Sequence, residues 1–209
     1  MDIILNNGDI EWIHTQYPNL TVDILNKNIS GDISFKRDYE GYEISDTYSI
    51  RIYLEKKGLS ILPKVISISN KIRNIAKKYN MKLDDLHINT DGSFCLAIQD
   101  KEEQSFQNGF TIQEFFNNIL EPFLFQMSYF DRKGKFPWGE YAHGRLGYIE
   151  LYAENEVSLD KVLSFFDNRE ITSLVLKNRQ SECLCGSGKK MRKCHPLIYR
   201  GIMKIKTAS

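Results

Sequence analysis

The stretch Leu20–Leu54, LTVDILNKNISGDISFKRDYEGYEISDTYSIRIYL, decides the fold class. It is rich in β-branched and aromatic residues, and apolar and polar side chains alternate along three runs, Leu20–Leu25, Ile29–Asp38 and Tyr48–Leu54. A period of two sends successive side chains to opposite faces of a strand, so each run reads as a strand with one buried face. Gly31–Asp32, Glu40–Gly41 and Lys57–Gly58 supply turn residues, and a fourth apolar run, Lys64–Ser69, follows Pro63. Consecutive strands joined by short turns predict an antiparallel four-stranded meander.

The flanks read as helices. Ile10–Tyr17 is a short helical pattern that must stop before Pro18, because the residue ahead of a proline disfavours the α region. Lys71–Tyr79 carries Ile72, Ile75 and Ala76 at the spacing of a short amphipathic helix or turn. Thr111 stands three residues before Glu114, the order of a capping box, and Ile112, Phe115, Phe116, Ile119 and Leu120 fall on one helical face. That helix is expected to break near Pro122 and resume over Phe123–Phe130. Asp131–Gly147, with Pro137 and several glycines among aromatics, reads as an ordered loop. Ser158 caps a helix over Leu159–Phe166, and a further helix or turn leads to a cysteine cluster. Strands grouped together and helices grouped together make an α+β fold.

Composition agrees with one domain of about 150 residues plus an appendage: 42% of the 209 residues are hydrophobic and 26% charged, which excludes a disordered chain. A net charge of +1 argues against a protein that coats nucleic acid over its whole surface. From Lys189 onward, however, there are seven basic residues and no acidic one, leaving 21 basic against 27 acidic side chains, a net of −6, in the preceding 188. The basic end reads either as a solvated face or as a contact for an acidic partner or RNA, and the acidic remainder weighs against nucleic acid. MDIILNNGDIEW has neither a basic region nor a long apolar run, and no stretch approaches the ~20 apolar residues of a membrane span. The expectation is a cytoplasmic protein with reduced cysteines and no membrane.

Three of the four cysteines cluster. Cys183-Leu-Cys185 is followed after eight residues by Cys194-His195. Three thiolates and an imidazole close the tetrahedral shell that zinc prefers, so the site is expected to be a structural Zn2+ site with no open position for catalysis. Gly186-Ser187-Gly188 supplies the turn after the first pair, with amides able to donate to metal-bound sulfur. A run this short has no core of its own, and metal binding would provide its folding free energy. The spacing Cys-x-Cys-Gly-Ser-Gly-x-Lys-x-x-x-Cys-His resembles the SEC-C motif, a zinc-binding appendage of the secretion ATPase and of many bacterial proteins. The resemblance implies a docking partner for this module.

Cys95 is the remaining thiol, in His87-Ile-Asn89-Thr-Asp91-Gly92-Ser-Phe-Cys95-Leu96. A lone cysteine between apolar residues is commonly a small core residue. A thiol just after a glycine turn, with an amide side chain upstream, also suits a nucleophile facing an oxyanion donor. The segment resembles the signature of the ubiquitin-conjugating enzymes, His-Pro-Asn, a glycine turn, then Cys and Leu, with Ile88 in place of the proline. It is similar in particular to divergent bacterial relatives of antiphage, cyclic-oligonucleotide signalling operons, which share a segment like Phe136-Pro-Trp138-Gly-Glu140-Tyr141-Ala-His143-Gly144. The resemblance implies a ubiquitin-conjugating-enzyme-like fold and a Cys95 thioester with a protein carboxyl terminus, such as that of a nucleotidyltransferase. It implies Asn89 as oxyanion donor and His87 as a residue that fixes the loop. His143 reads equally as the base for an incoming amine or as a loop anchor, and Asp91 as a turn-shaping residue. The expected organisation is a conjugating-enzyme-like domain over 1–152, a helical linker over 153–179 and the zinc module over 180–209. The alternative is an inactive adaptor that keeps the fold and the zinc module for binding.

Overall fold

The computed structural model describes residues 3–55, 60–97, 102, 106, 108–137, 141–142 and 144–208. They fall into two compact units, Met1–Gly139 and Glu140–Ser209. No helix among the described residues is long and apolar enough to cross a membrane.

The first unit is α+β. Helix α1 (Asn7–Gln16) precedes a four-stranded sheet of order β1 (Leu20–Asp23), β2 (Asn28–Tyr39), β3 (Tyr42–Tyr53) and β4 (Lys64–Ser67), with every neighbouring pair antiparallel. The meander read from the alternation is therefore present. One face is apolar: Ile29, Ile33 and Phe35 from β2 and Ile44, Tyr48, Ile50 and Ile52 from β3 are buried, while Ser34, Lys36, Thr47 and Arg51 between them face out. α2 (Lys71–Tyr79) buries Ile72, Ile75 and Ala76, and ends on Asn80 in the left-handed region.

Several boundaries differ from the sequence reading. α1 begins at Asn7 because Asn6 and Asp9 form a capping box, each side chain accepting the other's backbone N–H at 3.0 Å. The β1–β2 turn is not at Gly31–Asp32. It lies at residues 24–27, where the Asp23 carboxylate accepts from the Asn26 backbone and amide and Lys27 takes φ +48°. Gly31 sits inside β2. β3 starts six residues earlier than read, at Tyr42, since the strand period runs through Asp46, whose charge hides it. The Lys57–Gly58 turn lies outside the described residues.

Thr111 and Glu114 form the expected capping box, with bonds of 3.1 and 2.7 Å, and open α3 (Ile112–Phe115). The helix is not broken at Pro122. It runs through a π turn, Phe116–Leu120, into α4 (Glu121–Lys133), ending on left-handed Gly134. Pro122 has no N–H for the carbonyl four residues back, and the π turn, with Glu121 N–H bonded to the Phe116 carbonyl, is how the helix accommodates it. Phe116 stacks on Tyr17 and takes Trp12 edge-on, which buries the turn in the core.

The second unit is helical. α5 (Arg145–Ala153), α6 (Leu159–Leu163), α7 (Asn168–Val175), α8 (Met191–Cys194) and α9 (Pro196–Ala208) share a core that includes Ile149, Val162, Leu174, Met191, Ile198 and Ile202. The division expected at 152 would cut the end of α5, and residues 153–179 are not a linker, because Val162 and Leu174 are buried in this core. Helix, not loop, occupies both ends of Asp131–Gly147. Gly201 is what brings α9 onto α5: a Cβ there would meet the Ile149 carbonyl at 2.3 Å.

Candidate functional site

Residues 87–95 form a closed turn. The Cys95 N–H donates to the His87 carbonyl at 2.7 Å, Asn89 N–H to Ser93 at 2.8 Å, and Gly92 N–H to Asn89 at 2.9 Å. Gly92 has φ +80°, a conformation that favours glycine. The Phe94 N–H donates to the Val65 carbonyl at 2.8 Å, which ties the turn to β4. Phe94 is buried against Phe123 with ring centroids 4.7 Å apart, and this fixes the residue before the cysteine. Cys95 itself is only partly buried, its Sγ 4.0 Å from the Ala97 carbonyl oxygen.

The upstream residues brace this turn. Asp91 accepts from Ser93 through one oxygen and from Lys64 Nζ through the other at 2.7 Å. The Lys64 ammonium, then Ser93, hold its carboxyl far below the usual range, so Asp91 stays an anion and shapes the turn. Asn89 directs its side-chain amide into the turn, to Ser93 Oγ at 3.0 Å and the Phe94 carbonyl at 3.5 Å. His87 takes φ +56° and sets its ring edge-on to Phe136, centroids 5.7 Å apart. The structure thus brings His87, Asn89 and Cys95 into one turn. His143 and Trp138 lie outside the described residues. Lys64, which neutralises Asp91, gave no signal in the sequence because its partner is 27 residues away.

The Cys/His cluster is tight. The ligating atoms of Cys183, Cys185, Cys194 and His195 all lie within 4.8 Å of one another, so these four residues could share a metal ion. Cys183 Sγ faces His195 Nδ1 at 3.2 Å, and Cys185 Sγ faces Cys194 Sγ at 3.6 Å. A short antiparallel bridge between Glu182 and Lys190 presents the first pair, and α8 presents the second. Gly186 and Gly188, at φ +80° and +70°, close the turn between them. Ser187 belongs to the cluster as well, its Oγ 3.2 Å from Cys194 Sγ. The Gly-Ser-Gly turn therefore offers the sulfurs a hydroxyl as well as the amides expected from the sequence.

Burial opposes the negative form of both first thiols. At Cys183 it wins and pushes the thiol up to about 12. At Cys185 burial is outweighed by hydrogen bonds from the Ser187 side chain and backbone, which pull the thiol below its ordinary value. A shared cation would favour the thiolate at both. All four residues offer soft or borderline donors and none is a carboxylate, a set suited to a transition metal and not to calcium or magnesium. Compared with protein-family models, with curated proteins and with solved structures, the chain matches none.

Proposed function

We propose that this chain is a conjugating-enzyme-like acyl carrier, with Cys95 forming a thioester to a protein carboxyl terminus and passing the acyl group to an amine. The observation that carries this reading is that Cys95 is only partly buried. A core cysteine between Phe94 and Leu96 would be buried, whereas this thiol stays partly open on a turn whose backbone is pinned on both sides. The first step forms a bond from Cys95 Sγ to the donor's thioester carbonyl carbon and expels the donor thiolate. In the second, an amine nitrogen attacks the same carbon, Cys95 leaves as thiolate and the amine loses a proton to a base, the part assigned to His143. The fold is read as ubiquitin-conjugating-enzyme-like on the four-stranded meander and the Asn-turn-Cys segment. The setting is read as bacterial antiphage signalling on the sequence resemblance, with a nucleotidyltransferase as the protein whose carboxyl terminus forms the thioester.

In the same reading Cys183, Cys185, Cys194 and His195 would hold a structural Zn2+, which would tie α8 to the Glu182–Lys190 bridge that precedes it. This unit serves as the docking module.

To test the carrier, the protein is incubated with the products of its neighbouring genes and weighed intact. A thiol-sensitive adduct on Cys95, converted to a thiol-resistant one in Cys95→Ser, is the expected result. No adduct on either protein, with every neighbour and ATP present, sinks the reading. The adaptor alternative has its own support: the Asn89 amide is spent inside the turn instead of facing the thiol. Stable binding of a neighbour without any adduct, unchanged in Cys95→Ser, selects it.

A further inference from the structure

The four residues of the Cys/His cluster are not equivalent. Cys183 is only 5% exposed, in the helical core with Met191 and Ile198, and its Sγ faces His195 Nδ1 at 3.2 Å. Its backbone is held as well: the Cys183 N–H donates to the Lys189 carbonyl at 2.7 Å, beside the Glu182–Lys190 bridge. Cys185 is exposed, on the turn that Gly186 and Gly188 close, and Cys194 is half-buried at the end of α8. The Sγ atoms of Cys185 and Cys194 lie 3.6 Å apart, in van der Waals contact. The cluster therefore has an inner pair, a thiol and an imidazole, and an outer pair of two touching thiols that solvent reaches.

We infer that the outer pair is a redox switch: hydrogen peroxide oxidises Cys185 and Cys194 to a disulfide, which releases the metal, while Cys183 stays a reduced thiol in the core. The inference rests on the reading of the cluster as a metal site. Exposure selects the sulfur that reacts first. The Cys185 thiolate attacks one peroxide oxygen, the O–O bond breaks, and hydroxide leaves, giving a sulfenic acid. The Cys194 thiolate then attacks that sulfur and expels a second hydroxide. Two protons from solvent convert both hydroxides to water, and the two electrons the sulfurs lose are those the peroxide gains. Zinc has no redox chemistry of its own and takes no part in this exchange. A disulfide is no longer a pair of thiolate ligands, so Cys183 and His195 remain as two donors where a structural zinc site needs four. Because Cys183 is also a core residue, release of the metal reaches the helices packed around it. Burial protects the same residue from the oxidant, so the change is reversible by a thiol.

The full chain, reduced and loaded with zinc, is treated with hydrogen peroxide. Cys95→Ser is treated in parallel, because Cys95 is also partly open to the oxidant. Both proteins should release their zinc to a chromogenic chelator, and the mass of Cys95→Ser should fall by two hydrogen atoms. The oxidised chain is then unfolded in acid and alkylated before and after reduction. Cys183 should be labelled in the first step, and Cys185 and Cys194 only in the second. Dithiothreitol with added zinc should restore the metal and the amide protection of α5 and α9. Zinc retained at a peroxide concentration that oxidises free cysteine, or a disulfide that includes Cys183, overturns the switch and leaves the metal site standing. A reduced chain that takes up no zinc overturns the metal reading and the switch with it.

Discussion

Gly31 stands in β2 at φ +138°, and a Cβ on it would lie 2.1 Å from the Asn19 carbonyl oxygen. Both the backbone conformation and the close approach require glycine, so Gly31→Ala should cost about 3 kcal/mol or more, read from urea unfolding followed by far-ultraviolet circular dichroism. A loss under 1 kcal/mol would show that β1 gives way easily. The glycine itself was conspicuous in the sequence, but its reason was not, because the oxygen it admits belongs to the segment before β1. Asp46 shows the same limit. Read locally it is a charge that interrupts a strand. In the fold Ser128 donates to it at 2.7 Å and Lys71 pairs with it, while Tyr48 lies 3.0 Å from Ser128. Burial works against the Asp46 anion, yet the bonds from Lys71 and Ser128 prevail and hold the carboxyl below its ordinary value. A folded pKa below the unfolded one stabilises the protein fully above the unfolded value of about 4, and the contribution fades as pH falls through the folded value. Asp46→Asn should therefore be less stable than the parent at pH 7, with the gap in unfolding free energy shrinking toward pH 2. A gap independent of pH would mean that the aspartate acts through shape alone.

At the scale of elements, legibility followed locality. The Thr111–Glu114 box, the alternation of β2 and the apolar stripe of α2 are written in residues two to four apart, and each was readable. The passage of the helix through Pro122 was not, because what holds it together is Phe116, packed between Trp12 and Tyr17 from α1 and its cap. α9 was hidden for another reason. The seven basic residues from Lys189 onward, three of them in α9, read as a solvated face or a partner contact, while Ile198, Gly201, Ile202 and Ile205 form its buried stripe. Gly201 carries the contact with α5: a Cβ would lie 2.3 Å from the Ile149 carbonyl and 2.6 Å from Ile149 Cγ2. Gly201→Ala should force the two helices apart. Alanine favours an isolated helix by about 1 kcal/mol, and the overpacking opposes it with about 1–3 kcal/mol. A net loss of thermal stability, together with chemical-shift changes along Arg145–Ala153, is the expected outcome. Net stabilisation would mean that α5 and α9 slide freely past each other.

For the whole molecule, the metal cluster and the helical core are one construction. The spacing of Cys183, Cys185, Cys194 and His195 was plain in the sequence because its ligands lie within thirteen residues. What the spacing could not tell is that Cys183 and Met191 are buried in the same core as Ile149, Val162 and Leu174, contributed from far outside the motif. A metal bound there fixes a ligand that is also a core residue, so its loss should be felt well beyond the motif. Purified protein should contain one metal ion per chain, identified as zinc by elemental analysis. Removing it with a strong chelator should raise amide hydrogen exchange not only across 181–195 but along α5 and α9, and restoring it should return the protection. Exchange across β2 and β3 should stay as it was, since the sheet has a core of its own in Ile29, Ile33, Tyr48, Ile50 and Ile52. If increased exchange stopped at the ends of the motif, the cluster would be a surface staple and the helices would stand by their packing alone. Cys183→Ser separates the two contributions from the other side, because it removes one ligand while leaving a side chain of similar size in the core. If ligation is what matters, this variant should match the chelated protein, whereas Ser187→Ala, which removes only the hydroxyl beside Cys194, should keep its metal with weakened affinity.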